Sequence, residues 1–219
     1  FIDHDNTHLR GIAGELHHIY YGSPCEEILS VEGEVLECAP FLKFRWRPAS
    51  GEWQEVQTRL IGAYNVKNMM AAATVGRAFG VSVEQINEAL TEYIPTNNRS
   101  QLTKTEHNQL IVDAYNANPT SMKAAVQNFR DMKVERKMAI LGDMGELGEK
   151  SCEAHQRMVD YLIECGFENV WLVGKNFKAT HHPFRNFENV EQVKEALKMK
   201  KPKDYYILVK GSHSTRLYE

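Results

Sequence analysis

The sequence predicts an α/β protein whose C-terminal part is a mostly parallel sheet with flanking helices. From residue 99 onward, short apolar runs alternate with segments whose apolar residues recur at helical spacing, as in strand–helix–strand crossover units. Before residue 60, short β-rich runs are separated by turn residues, which predicts antiparallel hairpins. We therefore expect an α/β domain preceded by an α+β region of antiparallel hairpins and two helices.

The N-terminal region is predicted to hold a β-meander followed by two helices. Short β-rich runs between residues 14 and 60 are broken by turn residues, among them Glu32-Gly33. Apolar residues then recur at helical spacing. Ser82 suits the N-cap of the second helix, and Pro95 stops that helix. The expected helices are Asn65–Phe79 and Val83–Tyr93.

The C-terminal region is predicted to alternate strands and helices, with Gln101–Glu106 as an antiparallel edge strand. The expected strands span residues 109–113, 137–142, 169–174 and 204–209, and the helices about 119–130, 150–165 and 190–199. Three strands are followed by polar loops that begin at Asp113, Gly142 and Lys210. Ligands of open α/β sheets bind outside the carboxyl ends of the strands, so these loops are predicted to meet over one crevice.

The most informative segment runs from Asp113 to Met122. A carboxylate at a strand end accepts hydrogen bonds from ribose hydroxyls in dinucleotide-binding sheets. The Asn116 amide offers a donor and an acceptor to an adenine edge, and the Tyr115 ring offers a face for stacking. The same residue types also favour a plain turn and a helix cap. The segment alone therefore leaves a nucleoside cradle and a structural cap as alternatives.

In their order along the chain, these motifs resemble those of the Mur ligase family, most closely its MurF type. The matching segments are Gly62–Ala73, Asn97–Gln101, Asp113–Met122, Leu141–Gly148 and Lys210–Ser212, and Asp5-Asn6 resembles a strand end of the family. The resemblance covers nearly the whole chain. It implies that residues 1–96 are the C-terminal part of a central ATP-binding domain, and that residues 97–219 are a Rossmann-like C-terminal domain lacking its end. The chain is thus expected to be a piece of a longer protein, with a hinge near Thr96–Asn98.

The resemblance implies an ATP-dependent amide ligase of peptidoglycan precursor synthesis. Such an enzyme joins D-alanyl-D-alanine to UDP-N-acetylmuramoyl-tripeptide through an acyl-phosphate. By the resemblance, Arg99 reaches the γ-phosphate and Lys210 faces the acyl centre. The residues implied to bind ATP are Asn65, Asn68, Asp113, Tyr115 and Asn116, and those implied to face the dipeptide are Asp143, Glu146 and Ser212. Asn65 is also expected to cap the helix that it begins.

Some parts of the family pattern differ from this sequence or are missing from it. Tyr64 stands where many members have His, and His213 where the family often has Arg. The 219 residues contain no Gly-x-x-Gly-Lys-Thr phosphate loop. The resemblance implies that the ligands of Mg²⁺ precede this chain, so no metal site is expected within it. We therefore expect these residues to be catalytically inactive alone.

Composition narrows the remaining possibilities. A formal net charge of −3 argues against a nucleic-acid surface, and no apolar run approaches the roughly 20 residues that span a bilayer. The four cysteines form no C-x-x-C pair, which is typical of free thiols in a reducing cytoplasm. Cys152-x-x-His155 is half of a metal-binding pattern, but nothing supplies the other half. A cytoplasmic monomer without membrane insertion is expected.

Two alternatives stay open at the level of sequence. One is another ligase of the Mur and folylpolyglutamate synthetase superfamily, although most of those relatives place His where this chain has Asn116. The other is a non-catalytic nucleotide-binding module that never had a phosphate loop. A Gly-Lys-Thr loop upstream of Phe1 would favour a ligase over the binding module.

Overall fold

The computed structural model describes residues 1–12, 14–95 and 101–219, which divide into two compact units, Phe1–Ile94 and Pro95–Glu219. Each unit carries one sheet with helices packed against it. The predicted α/β class and the mostly parallel C-terminal sheet are confirmed. Among the described helices, none combines the length and apolar character needed to cross a membrane.

The first unit is a five-stranded sheet in the order β1-β2-β3-β4-β5, with two of its helices packed on it. Its elements are β1 (Ile2–Asp3), α1 (Thr7–Ile12), β2 (Tyr20–Gly22), β3 (Val31–Cys38), β4 (Phe41–Pro48), β5 (Gln54–Ile61), α2 (Asn65–Ala78) and α3 (Val83–Glu92). Buried apolar side chains of the sheet, α2 and α3 form the core, including Phe44, Trp46, Met70, Ala73, Ile86 and Leu90. The predicted Ser82 cap is confirmed, because its hydroxyl accepts a hydrogen bond from Gln85 N at 3.2 Å.

The prediction of an entirely antiparallel meander is wrong at its N-terminal end. Strand β2 pairs parallel with both β1 and β3, and only β3, β4 and β5 are joined as antiparallel hairpins. The connection Ser23–Ser30 is longer than a hairpin loop of roughly two to five residues, so it returns the chain to a parallel neighbour. Glu32-Gly33 lies inside β3 rather than in a turn. A Cβ at Gly33 would lie 2.6 Å from Met70 Sδ, so the glycine serves close helix packing.

The second unit is a six-stranded sheet in the order β10-β9-β8-β11-β7-β6. Its elements are β6 (Gln101–Lys104), β7 (Gln109–Asp113), α4 (Pro119–Asp131), β8 (Lys137–Gly142), α5 (Ser151–Glu164), β9 (Val170–Val173), α6 (Lys175–Lys178), β10 (Arg185–Phe187), α7 (Val190–Met199) and β11 (Tyr206–Lys210). All pairings are parallel except that of the edge strand β6 with β7, as predicted.

The position of β11 organises the C-terminal ends of the strands. The chain passes from β7 through α4 to β8, and the last strand β11 then inserts between those two strands. Alternate residues of β11 point to opposite faces of the sheet. Ile207 and Val209 pack with Val193 and Ala196 of α7 in one apolar cluster. Leu208 and Lys210 therefore point to the opposite face, and Lys210 ends its strand directly beside Asp113.

Candidate functional site

Three strand-end loops meet at the carboxyl edge of the second sheet. Register places Lys210 of β11 beside Asp113 of β7 on one side and Leu141 of β8 on the other. Backbone hydrogen bonds then join the loops: Gly145 N donates to Ala117 O at 3.2 Å, and Ser212 N donates to Asp143 O at 3.1 Å. The loops after β7, β8 and β11 are thus one connected structure.

An ion pair between Lys210 and Asp113 lies at the centre of this edge. Lys210 Nζ is 2.6 Å from Asp113 Oδ2 and donates a second hydrogen bond to Asn116 O at 3.3 Å. The lysine side chain is 2% exposed and that of Asp113 16%. A charge this buried needs a partner, because leaving it unpaired costs several kcal/mol, on the order of 3–5. The ammonium therefore orients Asp113 and holds the loop that carries Tyr115 and Asn116.

In the segment from Asp113 to Met122, the cap that the sequence suggested is present, and the side chains before it are exposed. Tyr115 is 50% exposed, with its ring 6.5 Å from that of His213, and Asn116 is also exposed. Asn118 is the N-cap of α4, because its side chain accepts from Ser121 N at 2.9 Å while Ser121 Oγ accepts from Asn118 N at 3.2 Å. The first half of the segment thus presents side chains, and the second half starts the helix.

The Asp143 carboxylate is occupied by backbone donors. Its two oxygens accept from Asn176 N and Phe177 N, both at 3.0 Å, at the start of α6. The preceding Gly174 has a φ of 124°, and a side chain there would collide with the carboxylate. Asp143 therefore anchors the loop after β8 to the loop after β9. Asp143 thus lies at the predicted edge of the sheet, where its carboxylate holds two loops together.

Glu146 and Ser212 line an open cleft of about 760 Å³ beside this network. Glu146 is exposed and has a left-handed backbone, with φ 59°. Ser212 is 6% exposed, and its hydroxyl is 2.9 Å from that of Ser214. The cleft is lined by both carboxylates and cations, including Glu146, Lys175, Glu188, Glu191 and Arg216. Such a mixed lining suits a ligand that carries both an amine and a carboxylate.

In the first unit, Asn65 and Asn68 form a hydrogen-bonded pair at the start of α2. Asn68 Nδ2 donates to Asn65 Oδ1 at 3.0 Å, and Asn65 Nδ2 donates to Ile61 O at 2.8 Å. The expectation that Asn65 caps α2 is wrong. The side chain of Asn65 donates to a carbonyl of β5 instead of accepting from a backbone N–H at the helix start. The N-cap of α2 is Tyr64, which makes no side-chain cap hydrogen bond.

A charged cluster close to this pair was missed by the sequence reasoning. Lys67 Nζ lies 3.0 Å from Asp3 Oδ2 and 3.6 Å from Asp5 Oδ2, while the Asp5 carboxylate also accepts from the Ser23 hydroxyl at 2.8 Å. Burial opposes the charged form of Lys67, but attraction to Asp3 and Asp5 outweighs it and raises the pKa of the lysine. The cluster ties the start of α2 to β1 and β2. The segment Asp3–Asn6 was the available signal.

Some predicted features lie outside the described residues. Arg99 and the expected hinge at Thr96–Asn98 belong to this group. Within residues 1–12, 14–95 and 101–219, no group of three His, Cys, Asp or Glu side chains is placed to hold a metal ion. None of the four cysteines forms a disulfide.

Comparison with known proteins identifies curated relatives that share one name. The chain is 31% identical over 144 residues to the UDP-N-acetylmuramoyl-tripeptide–D-alanyl-D-alanine ligase of Rickettsia prowazekii (strain Madrid E), which covers 63% of this chain and 32% of that protein. It is 30% identical over 183 residues to the ligase of that name from Buchnera aphidicola subsp. Baizongia pistaciae, covering 80% and 39%. The chain therefore spans only about a third of the length of these relatives.

Solved structures and a family model agree with the sequence relatives. A crystal structure of MurF from Acinetobacter baumannii has a TM-score of 0.81 at 25% identity, covering 99% of this chain and 49% of that one. The MurF ligase of Thermotoga maritima in complex with ADP has the same fold, with a TM-score of 0.82 at 17% identity, covering 99% and 50%. The family model for the Mur ligase, glutamate ligase domain matches residues 98–213. The chain belongs to the Mur ligase family.

Proposed function

We propose that this chain is part of an ATP-dependent amide ligase of the MurF type, acting in peptidoglycan precursor synthesis. In this proposal residues 97–219 are the C-terminal domain, and residues 1–96 are the end of the central ATP-binding domain. The observation that carries it is the joined strand-end network of Asp113, Lys210 and Asn116, which lies in the segment that matches the family. The identity of the relatives supports the MurF type over other ligases of the superfamily.

ATP would be held by groups from both parts of the chain. Asp113 has a second carboxylate oxygen beyond the one that Lys210 engages, and this oxygen suits a ribose hydroxyl. The exposed ring of Tyr115 suits stacking, and the exposed Asn116 suits an adenine edge. Asn65 and Asn68 would line the base from the central domain. Arg99 would neutralise charge on the γ-phosphate as the acyl-phosphate forms. Mg²⁺, bound by residues outside this chain, would supply further neutralisation.

The second substrate would bind on the far side of the same network. In the proposed reaction, the amine of D-alanyl-D-alanine attacks the acyl-phosphate of UDP-N-acetylmuramoyl-tripeptide and displaces phosphate. Glu146 and Ser212 line the cleft that we assign to the dipeptide. Asp143 would act by holding this loop in place, and Lys210 by orienting Asp113. We further propose that the enzyme is a cytoplasmic monomer.

An amide-ligation assay of a full-length ligase that includes this chain tests the proposal. With ATP, Mg²⁺ and UDP-N-acetylmuramoyl-tripeptide, we expect D-alanyl-D-alanine to be joined and phosphate released in equal amounts. Ligation of a single amino acid in place of the dipeptide would identify a different ligase of the superfamily. The 219 residues alone are expected to show no ATP hydrolysis, and turnover by the purified piece would contradict our assignment of the missing phosphate site.

A further inference from the structure

The imidazole of His155 is completely buried beneath the loop that follows β8. His155 lies one turn into α5 and is 0% exposed. Its Nδ1 is 2.7 Å from Ser151 O, its Nε2 accepts from Met144 N at 3.0 Å, and its ring packs edge-on against Phe177 at 4.7 Å. Both ring nitrogens are thus engaged with the backbone. The sequence had drawn attention to this residue only as half of a metal-binding pattern.

These partners define the protonation state of the ring. The carbonyl of Ser151 can only accept, so Nδ1 must carry a hydrogen. The backbone N–H of Met144 can only donate, so Nε2 must be bare. The Asp143 carboxylate lies 3.7 Å from Nε2, beyond a hydrogen bond, and its oxygens already accept from the start of α6. The geometry therefore requires a neutral imidazole protonated on Nδ1.

The anchored amide lies at the centre of the loop that borders the cleft. Met144 is 2% exposed, so its N–H has no access to water in place of the histidine. On one side Asp143 is tied to α6, and on the other Gly145 N donates to Ala117 O at 3.2 Å. Glu146 follows immediately and enters the cleft with a left-handed backbone. The direction in which Glu146 leaves this loop depends on the three anchors together.

We propose that His155 is a positioning residue for the loop Asp143–Glu146, acting as a neutral hydrogen-bond acceptor for Met144 N. This rests on the proposed function, because we assign the cleft beside Glu146 to the dipeptide. His155 touches neither substrate nor metal in this proposal. Its loss should change binding on the dipeptide side of the site and leave the ATP side at Asp113 unaffected.

Two substitutions distinguish the contribution of the hydrogen-bond acceptor of His155 from that of the volume of its ring. In His155→Gln the side-chain carbonyl oxygen reaches about as far as Nε2 and can accept from Met144 N–H. His155→Leu keeps apolar volume against Phe177 but has no acceptor. In a full-length ligase, we expect His155→Leu to raise KM for D-alanyl-D-alanine roughly tenfold, the effect of one lost hydrogen bond, with KM for ATP unchanged. In His155→Gln, KM for D-alanyl-D-alanine should stay close to that of the unsubstituted enzyme. Equal effects of the two variants, or an equal change in KM for ATP, would overturn the proposal.

Two measurements on the 219-residue chain do not depend on the reaction. Nitrogen-15 NMR of the unsubstituted protein should show His155 protonated on Nδ1 and bare at Nε2. Hydrogen exchange of the Met144 amide should be slow in the unsubstituted protein and in His155→Gln, and at least tenfold faster in His155→Leu. An Nε2-protonated or charged ring at neutral pH would refute the role of His155 even if the ligase is active. A correct tautomer with no dipeptide ligation would refute the proposed function alone.

Discussion

At the scale of single residues, burial and pairing determine which charged groups of the candidate site are already occupied by protein partners. The resemblance implied that Lys210 faces the acyl centre, yet its ammonium lies 2.6 Å from Asp113 with almost no exposure. The contact of Lys210 in this structure is with the carboxylate that it orients. The Asp143 carboxylate is likewise occupied, because both of its oxygens accept from backbone N–H groups. Tyr115, Asn116 and Glu146, by contrast, have exposed side chains.

The Lys210–Asp113 pair should contribute far more to stability than a surface pair. Lys210→Met leaves the Asp113 carboxylate without its partner, and removing one member of a buried pair costs about 3–5 kcal/mol. The matched control is Lys178→Met, which removes an exposed pair with Glu188 and should cost less than about 1 kcal/mol. Urea unfolding followed by the NMR signal of the Trp171 indole, which lies in the second unit, measures both. Equal losses would show that Lys210 is not a buried partner.

Asp113 should also determine the affinity for ATP. If its carboxylate accepts from ribose, Asp113→Ala in a full-length ligase should weaken ATP binding roughly tenfold to a hundredfold, the effect of losing a charged hydrogen bond. Calorimetry of ATP binding measures this change. Asp131→Ala removes an exposed carboxylate of the same unit, paired with Arg130, and should leave the affinity unchanged. An unaltered dissociation constant in a folded Asp113→Ala variant would exclude the ribose contact.

At the scale of secondary-structure elements, helix starts and strand ends position the candidate site residues. Helix α4 begins at Pro119, directly after the loop that carries Tyr115 and Asn116, and its cap is Asn118. In the first unit, the Asp3–Lys67 ion pair holds the start of α2, where Asn68 lies, against β1. Both helices thus start within one turn of the proposed ATP-binding residues. The caps and ion pairs at these starts restrict the positions of the residues beside them.

Removal of the Asn118 cap of α4 should lower the free energy of unfolding moderately, and only where the acceptor oxygen is lost. Asn118→Ala deletes the acceptor for Ser121 N and should destabilise the second unit by about 1 kcal/mol. Asn118→Asp keeps an oxygen acceptor at the same place and should be close to neutral. The urea midpoint of the Trp171 signal provides the comparison. If alanine and aspartate behaved alike, the cap would not contribute through its side chain.

The first unit should lose stability at acid pH through Asp5. Burial opposes ionisation of this carboxyl, but hydrogen bonds from Ser23 and attraction to Lys67 outweigh it and lower the pKa of Asp5 below its ordinary value of 3.8. A lowered folded-state pKa contributes stability above the unfolded value, and that contribution is lost as the pH falls through the folded value. Urea midpoints of the Trp46 and Trp53 signals should therefore decline below about pH 4 less steeply in Asp5→Asn than in the unsubstituted chain. Parallel pH curves would exclude this role of Asp5.

Two separate cores are the main feature of the whole molecule. Each unit has its own sheet and its own cluster of buried apolar side chains. We assign ATP-binding residues to each unit separately, Asn65 and Asn68 in the first and Asp113 to Asn116 in the second. Ligases that assemble a site from two domains need a connection that permits closure.

Limited proteolysis should cut the chain between its two units. Thr96-Asn97-Asn98 has neither apolar periodicity nor strong helix or strand propensity, and Pro95 cannot continue the helix before it. Brief digestion should therefore yield two stable pieces that separate near Asn97, identified by mass spectrometry. Cleavage first within β3–β5 or β7–β9, or resistance throughout, would contradict a hinge at this place.

Local signals in the sequence were sufficient for the types and approximate bounds of most elements. Helix α7 was predicted at its observed bounds and β7 likewise, because apolar periodicity and flanking polar residues act over a few neighbours. The last strand was placed slightly early, since Asp204 adopts a left-handed backbone that delays β11 to Tyr206. The motifs at the strand ends also predicted the family and the meeting of the three strand-end loops at one edge of the sheet.

Tertiary structure alone decided which of those polar residues are exposed and which hold one another. Lys210 and Asp113 are 97 positions apart in the chain, and they meet only because β11 inserts between β7 and β8. The parallel pairing of β2 and the burial of His155 under Met144 depend equally on contacts between separate elements. Buried polar groups must find partners wherever packing brings them. Their roles therefore follow from the completed fold, whereas the helices and strands that carry them follow largely from local sequence.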